Sequence, residues 1–377
     1  MNDPGADLEQ SICAALRGAP VVGPVSNAHE HARRLHECAA YHGVGPLLSR
    51  CFRDAPPAGL PTAQALKGEA AIELIRKREI VQVLDALAQS GVEPLLLKGT
   101  ALAHWLYPSP VLRPRADTDI LIRDGDRKIT DGVLSDLGYE RPNAISGDLV
   151  TYQCGYLKRD HLQIEHVLDV HWRISNTQLF SAALGHAELM SRSLPLPALG
   201  AHARMPAPGD ALLLACMHRV HHFHSPYRVE GVPGRGVDRL IWLYDIHLLL
   251  EAMSPAALDG FLRSAEHKGL RAICADGIQT ARRCFGTRVP SGTLERLQRA
   301  GPREACAAHL RSGRIRHLLI ELQSLESWRK RWGLIREHLL PPADYMLARY
   351  ATGNRAWLPM LYVRRGILGA WKRMLSA

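Results

Sequence analysis

The chain has 377 residues and a formal net charge of +10, with 47 Lys and Arg against 37 Asp and Glu. Its 46% of hydrophobic and 22% of charged residues exclude an intrinsically disordered chain, and its length indicates more than one structural unit. No run of about eighteen apolar residues occurs, so we expect no transmembrane helix.

The N-terminus and the cysteines lead us to expect a cytoplasmic protein. Acidic residues stand where a secretory signal would carry Lys or Arg (Asp3, Asp7 and Glu9). The 8 cysteines are scattered without a C-x-x-C pair, a spacing typical of reduced thiols rather than of a disulfide framework or a zinc ribbon.

The first 90 residues are predicted to be helical. Leu8, Ile12 and Leu16 recur at four-residue spacing, which indicates one face of a helix. Helix-forming segments follow at 29–38 and 65–87, and prolines separate these segments, as expected of a residue that breaks helices.

The pattern changes after Val92, where short apolar runs alternate with helical segments. Strands are predicted at 94–97, 118–122 and 162–174, and helices at 101–106 and 126–137. From Asp210 onward, helices are predicted at 211–222, 240–253, 255–268 and 270–285, with a Pro- and Gly-rich loop at 225–237.

The predicted fold class is therefore α+β. We predict a small mixed-sheet core over residues 91–208, with an N-terminal helical region (1–90) and a C-terminal helical region (209–377).

A strand, then Gly99-Thr100, then a helix is an arrangement that binds phosphate. Gly99 lets the backbone approach a ligand closely, Thr100 can cap the helix, and the first N–H groups of the helix point at the ligand. Lys98 and Arg113 are candidates for neutralising triphosphate oxygens. The alternative is a plain tight turn with a surface lysine.

Asp117 and Asp119 stand two residues apart at the start of a predicted strand, so both carboxylates project from one face. Like charges this close raise each other's pKa unless a cation neutralises them, and Mg²⁺ prefers such hard oxygen ligands. A solvated pair on an exposed edge is the alternative, although apolar residues follow at once.

A third acid would complete a two-metal site for phosphoryl chemistry. Alternation along the third predicted strand places Glu165, Asp169 and His171 on one face, so both acids are candidates. We favour Asp169, with His171 as a second polar group on the same face.

At these positions the chain resembles a known family. The motifs are Leu97-Lys98-Gly99-Thr100-Ala101-Leu102, Tyr107-Pro108, Arg113-Pro114-x-x-Asp117-x-Asp119-Ile120-Leu121-Ile122, Gly138-Tyr139, Asp169-Val170-His171-Trp172, His218 and Trp242-x-Tyr244-Asp245. Together they are similar, over most of residues 70–290, to the uncharacterised nucleotidyltransferase family within the DNA polymerase beta superfamily. Gly-Thr replaces the Gly-Ser that is more frequent in that superfamily.

The resemblance implies transfer of a nucleoside monophosphate from an NTP, such as ATP, to a hydroxyl or similar acceptor by two Mg²⁺ ions. The implied catalytic and metal-binding residues are Asp117, Asp119 and Asp169, and the implied nucleotide-binding residues are Lys98, Gly99, Thr100 and Arg113. The sequence does not identify the acceptor: a small molecule, a peptide or a protein would fit. The alternatives are an inactive nucleotide- or partner-binding scaffold of the same fold, and an enzyme that modifies nucleic-acid ends.

Three further residues are candidates for the pocket: His171, His218 and Asp245. His218 belongs to a dense cluster with histidines 221, 222 and 224. We interpret one or two of these as lining the pocket and the rest as structural, a transition-metal site being the alternative. Asp245 lies in an apolar helix, where a carboxylate needs a partner such as His218 or an arginine.

After Asp344 the chain has no acidic residue and six basic ones, interleaved with Trp and Leu. Such a tail can contact an anionic membrane surface peripherally, and a helix packed on the protein with its charges in water is the alternative that we favour. Aromatic residues make up only 6% and no stacking stripe accompanies the basic residues, so nucleic acid is not a favoured partner.

Overall fold

The structure is a computed structural model that describes residues 4–19, 28–52, 56–141, 147–224, 227–229, 232–234, 238–300, 304–310 and 314–374. Within these ranges, no helix combines the length and the apolar character needed to cross a membrane. The N-terminal region is helical, as predicted, with α1 (Pro4–Leu16), α2 (Ala28–His42), α3 (Gly45–Cys51) and α4 (Ala63–Gln89).

A four-stranded mixed sheet forms the centre of the fold. Its elements in chain order are β1 (Leu95–Leu96), α5 (Lys98–Trp105), β2 (Thr118–Leu121), α6 (Arg127–Asp136), β3 (Gln153–Arg159) and β4 (Glu165–His171). The strand order is β1-β2-β4-β3, with β2 and β4 parallel and the other pairs antiparallel. The predicted α+β fold class is confirmed.

Two differences from the predicted strands have local causes. The third predicted strand begins only at Glu165, because the preceding residues turn: the Asp160 carboxylate accepts hydrogen bonds from the N–H groups of Leu162 (2.8 Å) and Ile164 (2.9 Å). Strand β3 was not predicted, since its sequence Gln-Cys-Gly-Tyr-Leu-Lys-Arg carries few apolar residues and a glycine.

The sheet has one apolar and one mixed face. Ile120, Leu168 and Val170 pack with α4 and α6 in one buried cluster. Alternate residues on the same strands project to the opposite face, where Leu95 and Leu121 pack with the C-terminal helices. The predicted alternation along β4 is thereby confirmed, and it places polar side chains between the sheet and these helices.

Among the remaining residues that the structure describes, helices predominate, together with two short antiparallel sheets. Before the C-terminal helices come α7 (Gln178–Ser181), α8 (His186–Arg192), β5 (Leu194–Pro195) and β6 (Arg204–Met205). The C-terminal elements are α9 (Pro208–His224), β7 (Tyr227–Val229), β8 (Val232–Gly234), α10 (Leu240–Glu251), α11 (Pro255–His267), α12 (Arg271–Phe285), α13 (Thr293–Gln298), α14 (Ala305–Leu310), α15 (Arg314–Gln323), α16 (Trp328–Leu339), α17 (Ala343–Arg349) and α18 (Leu358–Met374).

The predicted loop at 225–237 is wrong where β7 and β8 pair as a hairpin. Its remaining residues, 225–226, 230–231 and 235–237, lie outside the described residues.

Helix α10 joins two apolar clusters. Ile246 and Leu249 pack with α9 and α12, while Leu240 and Leu243 pack with α1 to α3. Burying such side chains contributes roughly 1.5–3 kcal/mol each. Helices α9 and α10 are therefore held firmly over the mixed face of the sheet. The division of the chain at residues 90 and 208 stays a prediction.

Candidate functional site

Asp119 and Asp169 are direct neighbours, because β2 and β4 run parallel and pair these two residues in register. On the other side of Asp169, β3 places Gly155, where a Cβ atom would stand 3.4 Å from Oδ1 of Asp169. Ligand atoms of Asp119, Asp169 and His171 all lie within 4.8 Å of one another. The sheet thus brings together two of the predicted acids and the predicted second polar group.

Lys98 contacts this cluster directly. Its Nζ donates to Oδ1 of Asp119 at 2.6 Å, and Nε2 of His171 lies 2.8 Å from the same oxygen. Burial opposes the ionisation of Asp119, but Lys98 and His171 outweigh it and hold the pKa of this carboxyl well below its usual value. Lys98 has a φ of +49°, which non-glycine residues rarely adopt and which is typical of functional sites.

Asp117 precedes β2 and carries the opposite pKa shift. Burial, and then the negative charges of Asp119 and Asp169, raise the pKa of Asp117 to about 7. Burial and Asp119 also raise the pKa of Asp169. Lys98 and, to a smaller extent, Arg113 oppose the shift at Asp117. All three carboxylates share Lys98, and a bound cation would neutralise the negative charge that remains.

A chain of hydrogen bonds fixes the position of Asp169. Gln153 Nε2 donates to Oδ2 of Asp169 at 3.0 Å, and Asn176 Nδ2 donates to Oε1 of Gln153 at 3.1 Å. The Tyr152 N–H in turn donates to Oδ1 of Asn176 at 2.7 Å. Sequence reasoning missed these residues, because Gln153 lies on the strand that was not predicted.

Glu165, the other candidate for the third acid, lies at the far end of β4. It is exposed and forms an ion pair with Arg159. It pairs in register with Arg159, whereas Asp169 is the residue of β4 that pairs with Asp119. The structure therefore brings Asp169, and not Glu165, to the carboxylate cluster.

The predicted phosphate-binding turn at Gly99 and Thr100 is buried. Helix α5 begins at Lys98 with Leu97 as its N-cap, so the prediction that Thr100 caps the helix is wrong. The buried Thr100 hydroxyl donates to the Thr118 hydroxyl at 3.2 Å. At Gly99, a Cβ atom would stand 3.0 Å from Nη1 of Arg113, so the lack of a side chain makes room for this arginine. Phosphate binding by Gly99 and Thr100 stays a prediction.

Arg113 and Asp245 form a buried ion pair. Nε and Nη2 of Arg113 donate to the two oxygens of Asp245 at 3.2 and 2.7 Å, and the Tyr107 hydroxyl donates to Oδ1 at 2.7 Å. The partner of Asp245 is thus an arginine rather than His218. This pair ties α10 to the segment before β2, and binding of triphosphate by Arg113 stays a prediction.

A second buried ionic group lies beneath the turn. Arg115 Nη2 donates to Oε1 of Glu73 at 2.5 Å, and His104 Nε2 lies 3.1 Å from the same oxygen. Nε of Arg115 also donates to the Thr100 hydroxyl at 3.0 Å. This network, which the sequence did not predict, connects α4 and α5 to the start of β2.

A cleft opens beside Lys98, between α5 and helices α9 and α10. Its lining includes Lys98, Trp105, His218, Trp242 and Asp245. The ring centroids of His218 and Trp242 lie 5.2 Å apart. Burial lowers the pKa of His218 well below its usual value, so at neutral pH it is an uncharged wall of the cleft.

The histidine cluster around His218 is an aromatic stack. His222 lies 4.6 Å from His218 between ring centroids and stacks on Trp242 at 4.8 Å. Among the described residues, the two groups of side chains suited to a metal ion do not include this pair. The side chain of His224 lies outside the described residues.

The C-terminal helix α18 is largely exposed. Leu361 is buried, whereas Met360, Val363 and Ile367 are exposed. Arg364 and Arg365 stack over tyrosine rings of the neighbouring segment. An exposed apolar and basic surface of this kind is compatible with either interpretation of the tail.

Comparison with known proteins identifies the region that carries this site. The model of a family described as "Uncharacterised nucleotidyltransferase" matches residues 28–286, which include the whole sheet and the helices α9 to α12. No curated protein matches the chain.

Proposed function

The chain belongs to the uncharacterised nucleotidyltransferase family, and on this premise we propose that it transfers a nucleoside monophosphate from an NTP to a hydroxyl or similar acceptor. The observation that carries the proposal is the parallel register that sets Asp119 beside Asp169, with Asp117 in electrostatic contact with both. A nucleotidyltransferase needs such a convergence of acids to bind cations.

The residues present fit a divalent cation. Asp117, Asp119 and Asp169 would hold two Mg²⁺ ions, because the positive charge of Lys98 does not balance the negative charge of three carboxylates. His171 offers a further ligand atom beside them, since its Nε2 lies 2.8 Å from Oδ1 of Asp119. When bound, Mg²⁺ neutralises charge on the triphosphate and lowers the pKa of the acceptor hydroxyl.

The chain's own groups would position and deprotonate the reactants. Asp169, whose pKa is raised, accepts the proton of the acceptor hydroxyl, whose oxygen then forms a bond to the α-phosphorus. The bond from this phosphorus to the bridging oxygen breaks, and pyrophosphate leaves. Lys98 binds a triphosphate oxygen, and the aromatic cleft beside it receives a flat ring such as the base.

The test is incubation of the full chain with each NTP labelled at the α-phosphate, with Mg²⁺, and with a metabolite and protein extract. We expect label transfer by the native chain and its loss in Asp119→Asn and Asp169→Asn. Glu165→Gln is the matched control, because Glu165 lies on the same strand and face as Asp169 but outside the cluster. Transfer that survives in Asp119→Asn would overturn the proposal.

A scaffold that binds nucleotide or a partner without metal chemistry is the second candidate. It is favoured by one observation: Lys98 already neutralises Asp119 at 2.6 Å. Calorimetry separates the two functions, because nucleotide binding by the scaffold would be equal with Mg²⁺ and with EDTA. Binding by the enzyme would require the cation.

Peripheral contact of α18 with an anionic membrane, and use of the basic tail on nucleic-acid ends, stay predictions. Sedimentation with phosphatidylserine vesicles tests the first, and the salt dependence of oligonucleotide binding tests the second.

A further inference from the structure

A second group of metal-binding side chains lies outside the region that the family model matches. His309 lies in the last turn of α14, while His317 and Glu321 stand four residues apart on one face of α15. One ligand atom from each of the three lies within 4.8 Å of the others. Their spacing in the sequence gave no signal, because two helices bring them together.

The group lies where α15 packs on α7, with His309 and Glu321 buried and His317 half-buried. His309 is fully buried and its ring lies edge-on to Phe180, with centroids 5.2 Å apart. The rings of His309 and His317 lie 4.7 Å apart. Two imidazoles and a carboxylate this close together present three possible ligand atoms to a single metal ion.

The two oxygens of the Glu321 carboxylate differ in their hydrogen bonding. Its Oε2 accepts the N–H of Gln178 at 2.6 Å. Its Oε1 is buried and, within the described part of the chain, has no hydrogen-bond partner.

We propose that His309, His317 and Glu321 bind one Zn²⁺ ion. Two imidazole nitrogens and one carboxylate oxygen form a ligand set that zinc accepts, with its fourth position left for water. Mg²⁺ would not compete well, because it prefers oxygen ligands. This inference does not depend on the proposed nucleotidyl transfer.

The ion would fasten the C-terminal helices to the segment behind the carboxylate cluster. Glu321 bonds to the backbone of Gln178, and two residues earlier Asn176 bonds to Gln153, which holds Asp169. Zinc binding outside the sheet would therefore stabilise the chain of hydrogen bonds that holds Asp169 in position.

The test is zinc titration of the full chain after chelator treatment, followed by elemental analysis and by the visible spectrum of the Co²⁺-substituted protein. The test background is Asp119→Asn, which removes a ligand of the other candidate group. We expect one tightly bound Zn²⁺ and the absorption of low-symmetry Co²⁺ in this background. Absence of bound zinc there overturns the proposal.

Variants assign the ligands. We expect His317→Ala and Glu321→Gln to weaken zinc binding by at least about 100-fold, because loss of a ligand exceeds the effect of a second-layer partner. His202→Ala is the matched control, since this surface histidine pairs with Asp85 away from both groups. Glu321→Gln preserves size, and His317 is only half-buried, so circular dichroism should show both variants folded. Unchanged zinc affinity in either folded variant contradicts the assignment.

Discussion

Two buried ionic groups lie within the same core and differ in how their charges balance. In the Arg113–Asp245 pair, one arginine faces one carboxylate, and the Tyr107 hydroxyl completes the set. In the cluster of Asp117, Asp119 and Asp169, three carboxylates share Lys98. A balanced buried pair serves the fold, whereas an unbalanced group lowers stability and is typical of sites that bind a further charge.

The largest effect should come from removing half of the balanced pair. Asp245→Ala leaves the Arg113 guanidinium buried without its carboxylate, so we expect a loss of about 3–5 kcal/mol in the free energy of unfolding, measured by urea denaturation. The exposed pair of Asp344 and Arg355 is the control, and Asp344→Ala should cost less than about 1 kcal/mol. Equal losses in the two variants would show that the pairs do not differ.

Removing the lysine should make the unbalanced group depend more strongly on metal. In EDTA, we expect Lys98→Met to reduce the free energy of unfolding by roughly 2 kcal/mol and so to lower the melting temperature, because the three carboxylates then repel one another without a cation. Mg²⁺ should raise the melting temperature of this variant more than that of the native chain.

Lys158→Met is the matched control for Lys98→Met. Lys158 is buried to a similar degree and pairs with Glu79 outside the cluster. Its loss should also destabilise the chain, but Mg²⁺ should not restore it. A Mg²⁺ response that is the same in both variants would argue against a cation site at Asp119.

The pH dependence of stability reports on Asp117. Its pKa of about 7 in the folded chain exceeds the ordinary value of 3.8, so its contribution to stability is fully present below pH 3.8 and is lost as the pH rises to about 7. Asp117→Asn lacks this loss. In EDTA, the variant should therefore gain about 1–2 kcal/mol over the native chain between pH 4 and pH 8.

Thermal unfolding of both proteins across this pH range measures that difference. A difference that stays constant with pH would mean that Asp117 is not in repulsive contact with the other acids. A difference that disappears in Mg²⁺ would support cation binding, because the ion removes the repulsion.

The smallest effect is expected at Gln153, which holds Asp169 without belonging to the charged group. Gln153→Ala removes one charge-assisted hydrogen bond, so Mg²⁺ affinity by calorimetry should fall by roughly 1 kcal/mol or about fivefold. Asn176→Ala, one bond further away, should have a smaller effect. The reverse order would place the support of Asp169 elsewhere.

Short-range patterns in the sequence were enough to predict Asp117 and Asp119 at the start of β2 and the face of Asp169, because alternation depends only on neighbouring residues. The choice between Asp169 and Glu165 required the strand register, which no local pattern contains. The partner of Asp245 lies 132 residues away, and the sequence could name only its type.

The same reasoning explains what was missed. Strand β3 has a polar and glycine-containing sequence that does not resemble a buried strand, and Gln153 was lost with it. The contact of Lys98 with Asp119 was also missed, because it occurs at a turn where Lys98 has a φ of +49°, and residue type does not reveal such a turn. Nucleotide binding by Lys98 stays a prediction. His309 and Glu321 meet only through the packing of two helices.

Asp119 and Asp169 are neighbours only when β2 and β4 pair in the observed register, so the site forms only in the correctly folded sheet. The two strands are joined by a long crossover, and sliding β4 by one residue would turn Asp169 toward α4 and bring Leu168 or Val170 beside Asp119. Such a molecule would bury a charge and would lack the proposed cation site. Metal ions present during refolding should therefore select the properly aligned sheet, and divalent cations should raise the yield of native chain.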